Sequence, residues 1–158
     1  MPTHLLLRSF CQAAAKVNRR SYPTLGSAFR DFTTSSPKCG AASDSASVVT
    51  YTQLKIMLSN HDVQLFDVRN PDEYQAGHIQ DAVNIPLGSL EESLKLSPEH
   101  FQQKFDVKAP GKDDDNLVFH CKSGNRSAKA LDIARQLGFS RVRHYKGGYS
   151  EWAEREGK

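Results

Sequence analysis

The stretch "NLVFHCKSGNRSAKALDIARQLG", residues 116–138, decides the fold class. It opens with a short apolar run typical of a buried strand and passes through a loop of small and basic residues. It then continues as a helix from about Ser127 to Leu137, which Gly138 ends. A buried strand that leads through a short loop into a helix is the repeating unit of parallel sheets.

The same alternation recurs along the chain. The run "VQLFDV" (63–68) predicts a strand before a short helix at "NPDEY" (70–74), and "RVRHY" (141–145) predicts a strand before a helix that contains Trp152. Short, continuously apolar strands that alternate with helices indicate a sheet buried on both sides. The predicted class is α/β, with a central parallel sheet flanked by helices on both faces.

The net charge of +3 is unevenly distributed over the 158 residues. Residues 1–40 contain six basic side chains and one acidic side chain, which is +5. Residues 41–158 contain 15 basic and 17 acidic side chains, which is −2. Because the positive charge is confined to a leader, the basic character does not indicate a nucleic-acid partner. No apolar run approaches the roughly 20 residues of a membrane-spanning helix, so no membrane partner is predicted either.

Residues 1–32 resemble a mitochondrial transit peptide. On a helical wheel two groups of side chains lie on opposite sides, apolar Leu6, Phe10 and Val17 and polar Arg8, Gln12 and Arg19. The segment is amphipathic, rich in arginine and poor in acid, which is typical of mitochondrial targeting. Residues 33–47 are small and polar and are expected to form a disordered linker. The folded domain should therefore span residues 48–158, and the protein is expected in the mitochondrial matrix.

The loop after the central strand surrounds Cys121 with small and basic residues. Ligands of parallel α/β sheets bind in such loops, between the carboxyl end of a strand and a helix. The N–H groups of residues 122–127 have no strand or helix partner, so they can converge on an anion. Gly124 lets the loop curl, and Arg126 adds a permanent charge. These features favour thiolate, so the pKa of Cys121 should lie below its reference of about 8.5.

Two alternatives concern the same residues. A free cysteine is often an inert core residue, but such a role explains neither Gly124 nor Arg126. His120 could form a Cys–His pair with Cys121, but neighbours on a strand point to opposite faces. We therefore expect His120 to pack away from the sulfur.

Three motifs in this order resemble those of the rhodanese family, "DVRNPDEYQAGHIQDAVNIP" (67–86), "CKSGNRS" (121–127) and "YKGGYSEW" (145–152). The resemblance implies a rhodanese-like domain that transfers sulfane sulfur, with Cys121 as the catalytic nucleophile and persulfide carrier. The implied substrate-binding cradle is Lys122, Ser123, Gly124, Asn125, Arg126 and Ser127. Asp67 and Arg69 are implied to support the loop as a charge pair, although an ordinary surface ion pair would fit them as well.

The implied reactants are a small anionic sulfur donor, thiosulfate or a persulfide, and a thiol or cyanide acceptor, with no cofactor. No metal site is predicted, because the six histidines show no ligand spacing and there is no CxxC pair. Two other functions are weighed. Related phosphatases and arsenate reductases place five residues between cysteine and arginine, whereas this chain has only Lys122 to Asn125 there. A catalytically silent binding module would not need both Cys121 and Arg126.

Overall fold

A computed structural model describes residues 44–158 of the chain. The transit peptide predicted for residues 1–32 lies outside the described residues, as do residues 33–43 of the linker predicted for residues 33–47. The last residues of that linker form a short 3-10 helix, Asp44–Ser47, and Ser47 is buried. The prediction of a disordered linker up to residue 47 is therefore wrong for these residues, since Ser47 packs into the domain.

Strands and α-helices alternate through the described part of the chain. The strands are β1 (Val48–Val49), β2 (Gln64–Asp67), β3 (Val83–Asn84), β4 (Leu117–His120) and β5 (Arg143–Tyr145). The helices are α1 (Tyr51–Ser59), α2 (Pro71–Ala76), α3 (Leu87–Leu94), α4 (Pro98–Phe105), α5 (Asn125–Gln136) and α6 (Gly148–Glu156). Among these described helices none has the length and apolar character needed to cross a membrane.

Capping residues mark where the first two helices begin. The Thr50 hydroxyl accepts a hydrogen bond from the Gln53 amide at 3.3 Å and starts α1. Asn70 precedes Pro71, whose fixed backbone suits the first position of α2, and the Glu73 carboxylate accepts from the Asn70 amide at 3.2 Å. The residues from Asn70 to Glu73 therefore fix where α2 begins after β2.

The five strands form one parallel sheet in the order β1-β5-β4-β2-β3. The central strand is β4, in which Phe119 is in register with Phe66 of β2 on one side and His144 of β5 on the other. Cys121 directly follows this strand. The thiol therefore lies at the carboxyl edge in the middle of the sheet, where parallel sheets bind ligands.

Two apolar clusters cover the two faces of the sheet. Phe119 belongs to one cluster and Val118 to the other, because successive strand residues point to opposite faces. The helical residues of the first cluster include Leu90, Phe101 and Leu131, and those of the second include Leu54 and Trp152. Helices α3, α4 and α5 therefore cover one face, and α1 and α6 cover the other. The predicted α/β class is confirmed.

Candidate active site

Cys121 lies at the bottom of the loop that joins β4 to α5. Its side chain belongs to the same cluster as Phe119 and is only 1% exposed. The Gly124 amide donates a hydrogen bond to its sulfur, with 3.1 Å between N and Sγ. The loop thus closes around a single sulfur atom.

The loop changes the acidity of the Cys121 thiol. Burial disfavours the thiolate, but hydrogen bonds outweigh that effect and the pKa of Cys121 lies below its ordinary value. The donors are the amides of Ser127, Ser123 and Gly124 and the Ser127 hydroxyl. The prediction of a lowered pKa is confirmed, and its main source is the backbone of the loop.

Gly124 gives the loop its curl. Its φ of +93° is in the left-handed region, and a Cβ at this position would lie 2.3 Å from the Lys146 carbonyl oxygen. This conformation lets α5 begin at Asn125, earlier than the predicted start near Ser127. The Ser127 amide therefore belongs to the first helical turn, where N–H groups have no partner within the helix.

The start of α6 holds the outer side of the loop. The amides of Tyr149 and Ser150 donate to the carbonyls of Cys121 and Lys122, at 2.7 Å and 3.0 Å. Gly148 makes this approach possible, because its φ is +64° and a Cβ there would lie 2.5 Å from the Lys122 carbonyl oxygen. Since these carbonyls are bound by α6, the loop amides are free to point at the sulfur. From the sequence this glycine had no role beyond its place in the motif "YKGGYSEW", although the Gly147-Gly148 pair was a visible signal.

The side chains of the predicted cradle do not all surround the sulfur. Those of Lys122, Ser123 and Asn125 are exposed, whereas Ser127 is buried with its hydroxyl 3.8 Å from the Cys121 sulfur. The structure therefore brings together the sulfur, the loop amides and the Ser127 hydroxyl.

Arg126 forms an ion pair with Glu73 of α2. Its two terminal nitrogens lie 2.6 Å and 2.8 Å from the two carboxylate oxygens. This hydrogen-bonded pairing lowers the pKa of Glu73 to about 2. Sequence reasoning missed Glu73 as a site residue, because its place three residues after Asn70 already fits a local helix-start role and nothing nearby reveals a partner in α5.

Asp67 and Arg69 form a buried pair under the loop. Their closest atoms, Oδ2 and Nη2, are 2.6 Å apart, and the side chains are 0% and 3% exposed. The alternative of an ordinary surface ion pair is therefore wrong. The Arg69 guanidinium lies 4.3 Å from the Tyr149 ring centre, so this pair contacts the residue whose amide binds the Cys121 carbonyl.

His120 packs away from the sulfur, as strand alternation predicted. It is fully buried, and its Nε2 lies 3.7 Å from Asp67 Oδ2. Burial lowers the pKa of His120 to about 4, although the nearby Asp67 carboxylate acts in the opposite direction. The ring is neutral near pH 7 and is not placed to act as a base for Cys121. Within residues 44–158 no group of three or more histidine, cysteine or acidic side chains is placed to hold a metal ion.

Comparison with known proteins identifies the family. A family model described as Rhodanese-like domain matches residues 50–155. The chain belongs to the rhodanese family. The matched range of this rhodanese-like domain includes all three motifs, and with them the loop around Cys121 and the glycine pair at the start of α6.

Several relatives of this rhodanese-like domain bear sulfurtransferase names. A human thiosulfate:glutathione sulfurtransferase is 40% identical over 111 residues, which are 70% of this chain and 96% of that protein. A Schizosaccharomyces pombe protein is 41% identical over 58% of this chain and 63% of its own length. That protein is named as a mitochondrial thiosulfate sulfurtransferase. The solved structure of a human single-domain sulfurtransferase is 39% identical, covers 69% of this chain and 96% of its own, and superposes with a TM-score of 0.67.

Proposed function

We propose that the protein is a sulfurtransferase that carries sulfane sulfur on Cys121 from an anionic donor, thiosulfate or a persulfide, to a thiol or cyanide. The observation that carries this proposal is the 3.1 Å contact between the Gly124 amide and the Cys121 sulfur, within a loop whose hydrogen bonds favour thiolate. The sulfurtransferase names of the relatives support it.

In the first step the Cys121 thiolate attacks the outer sulfur of thiosulfate. A bond forms between the two sulfur atoms, the bond within thiosulfate breaks, and sulfite leaves with the bonding electron pair. Cys121 then carries a persulfide. The step needs a deprotonated nucleophile, and the loop amides favour that state because they lower the pKa of Cys121.

In the second step an acceptor thiolate or cyanide attacks the outer sulfur of the persulfide. The new product is a persulfide of the acceptor or thiocyanate, and Cys121 leaves as thiolate. Leaving is faster for a thiol of lower pKa. The same loop amides therefore assist both steps, since each has a thiolate at Cys121 as reactant or product.

Arg126 and Lys122 are proposed to receive the anionic donor. Glu73 uses two N–H groups of the Arg126 guanidinium, which leaves three of its five donors for another acceptor. The Lys122 side chain is exposed on the loop and adds a second positive charge. A phosphate is a poorer fit, because Cys121 is 1% exposed and the loop closes directly on its sulfur.

The proposed site of action is the mitochondrial matrix, with residues 1–32 as the transit peptide. Support comes from the amphipathic, arginine-rich pattern of the leader and from the name of the Schizosaccharomyces pombe relative. A fluorescent protein fused to residues 1–47 should enter mitochondria, and replacing Arg8, Arg19 and Arg20 by glutamine should leave it in the cytosol. Cytosolic fluorescence of the unchanged fusion would contradict the location.

Mass spectrometry of the full-length protein tests the chemistry. After incubation with thiosulfate, the peptide containing Cys121 should gain one sulfur and lose it again on addition of cyanide, with release of thiocyanate. Peptides containing Cys11 and Cys39 serve as internal controls and should gain none. Cys121→Ser should fold normally and transfer no sulfur. Unchanged turnover in Cys121→Ser would refute the proposal.

A further inference from the structure

Three buried side chains connect the reactive sulfur to the neighbouring strand. Cys121 Sγ lies 3.8 Å from Ser127 Oγ, and Ser127 Oγ lies 3.1 Å from Nδ1 of His144. The three residues are 1%, 0% and 8% exposed. His144 is in register with Phe119, so its ring lies on the same face of the sheet as Cys121. Neither the motifs nor the persulfide mechanism uses this histidine.

The Ser127 hydroxyl has one proton to donate and two lone pairs that can accept. Its proton is directed at the Gly124 carbonyl, 2.9 Å away. The same carbonyl also accepts from the Ala128 amide at 3.0 Å. Because that oxygen keeps a partner, the hydroxyl can rotate toward the sulfur without leaving a buried carbonyl unpaired.

The direction of the hydrogen bond between Ser127 and His144 decides whether this rotation helps the thiolate. If Nδ1 of His144 accepted, the only hydroxyl proton would point at the ring, and none would remain for sulfur. If Nδ1 carries a proton, it donates to Oγ and fills a lone pair, and the hydroxyl proton stays available.

We propose that His144 is a positioning residue that donates from Nδ1 to Ser127 Oγ and thereby directs the Ser127 hydroxyl proton to the Cys121 sulfur. This inference rests on the proposed function, because it assigns the contact a purpose in forming and releasing the thiolate. The hydroxyl binds Sγ while that atom is anionic and turns to the Gly124 carbonyl when Sγ is bonded to a second sulfur. No proton is transferred in this exchange.

The charged and titratable groups on the elements around Cys121 do not lie between His144 and the sulfur. They are Lys122 on the loop, Arg126 on α5, Glu73 on α2, Asp67 on β2, His120 on β4 and Lys146 after β5. Arg126 is bound by Glu73, Asp67 and His120 lie on the opposite face of the sheet, and the two lysine side chains are exposed. Ser127 is the buried side chain whose hydroxyl lies 3.8 Å from the sulfur, so a change at His144 should reach Cys121 through that hydroxyl.

A matched pair of substitutions tests this role in the full-length protein. Asparagine and leucine have nearly the same size, but only asparagine offers an N–H donor. The measurement is the rate of Cys121 alkylation by iodoacetamide against pH, followed on the Cys121 peptide by mass spectrometry. His144→Leu should raise the midpoint by about half to one pH unit, the effect of losing part of a hydrogen bond to a charged group, and His144→Asn should stay near the wild type.

A second comparison separates positioning from general packing. On a Ser127→Ala background, His144→Leu should cause no further shift, since the hydroxyl that transmits its effect is gone. A midpoint that shifts equally in His144→Leu and His144→Asn, or a His144→Leu shift that persists without the hydroxyl, would overturn the proposal.

A further test uses the wild-type protein, so its result does not depend on whether a variant folds. Nitrogen-15 NMR of the histidine side chains should show the His144 ring with a proton on Nδ1, and a ring protonated only on Nε2 would overturn the proposal. Alkylation and NMR need no sulfur donor. They can therefore fail or succeed independently of persulfide formation, which the mass-spectrometric experiment tests.

Discussion

Adjacent residues of the loop serve different partners. Ser127 and the loop amides contact the Cys121 sulfur, whereas the Arg126 guanidinium is bound end-on by Glu73. The thiolate is therefore stabilised mainly by neutral donors that are fixed in the fold. In the proposed mechanism Arg126 is therefore assigned to the anionic donor, and the ion pair with Glu73 fixes the position of its guanidinium.

We expect Arg126→Ala to affect donor binding more than thiol acidity. Loss of a charged hydrogen-bond partner should raise KM for thiosulfate about tenfold or more, while the alkylation midpoint of Cys121 moves less. Arg126→Lys should recover only part of the loss, since an ammonium group cannot replace the planar fork. Glu73→Gln should raise KM to a smaller extent. Arg135→Ala, an exposed arginine on the same helix, is the control, and an unchanged KM in Arg126→Ala would contradict the role.

At the scale of elements, the site depends on the contact between the loop after β4 and the start of α6. The Tyr149 and Ser150 amides bind the carbonyls of Cys121 and Lys122, and only a residue without a side chain fits at Gly148. Gly148 of the last motif is therefore part of the candidate active site, because it lets α6 approach the loop.

Gly148→Ala should damage the site beyond its effect on backbone conformation. The added Cβ would lie 2.5 Å and 2.6 Å from the Lys122 and Cys121 carbonyl oxygens. The loop must therefore move, and its amides would no longer point at the Cys121 sulfur. Sulfur transfer should fall at least about tenfold, the factor expected when misplaced donors cost about 1.4 kcal/mol or more. Gly157→Ala is the matched control, because its φ of +67° is similar but no atom lies within 4 Å of the added carbon. Equal activity of the two variants would argue against the α6 contact.

Local patterns predicted the elements well and their long-range contacts poorly. The strand at residues 117–120 follows from apolar spacing and the side of the sheet that His120 faces follows from strand alternation, and the structure confirms both. The start of α5 was placed too late, because the left-handed Gly124 is a backbone feature without a side-chain signal. The Glu73–Arg126 pair and the α6 contact join residues far apart in sequence, so no local pattern could reveal them.

At the scale of the whole molecule, the domain buries titratable groups beneath its central strands. The pKa of His120 is about 4 in the folded state because of burial, against about 6.5 for an unperturbed histidine. Between these values the unfolded chain binds more protons, so stability falls as the pH decreases. Glu73 contributes little between pH 5 and pH 7, since its lowered pKa affects stability mainly below its ordinary value of 4.5.

The free energy of unfolding of the wild type should therefore be smaller at pH 5 than at pH 7, with His120 contributing roughly 2 kcal/mol to the difference. Urea titrations followed by circular dichroism measure it. His120→Gln cannot titrate and should lose that part of the pH dependence, whereas His61→Gln, at an exposed position, should behave as the wild type. Parallel pH profiles for His120→Gln and the wild type would show that the buried ring is not responsible.

The α6 contact also has a consequence for how the protein is made. A chain emerges from the ribosome amino end first. Cys121 and its loop therefore leave the exit tunnel before β5 and α6 do. Until Tyr149 and Ser150 arrive, nothing holds the carbonyls that orient the loop. We therefore expect a nascent chain to carry a thiol of ordinary acidity, which is less reactive toward stray oxidants than the thiolate. The pKa of Cys121 should therefore fall only when α6 has docked on the loop, wherever in the cell that step takes place.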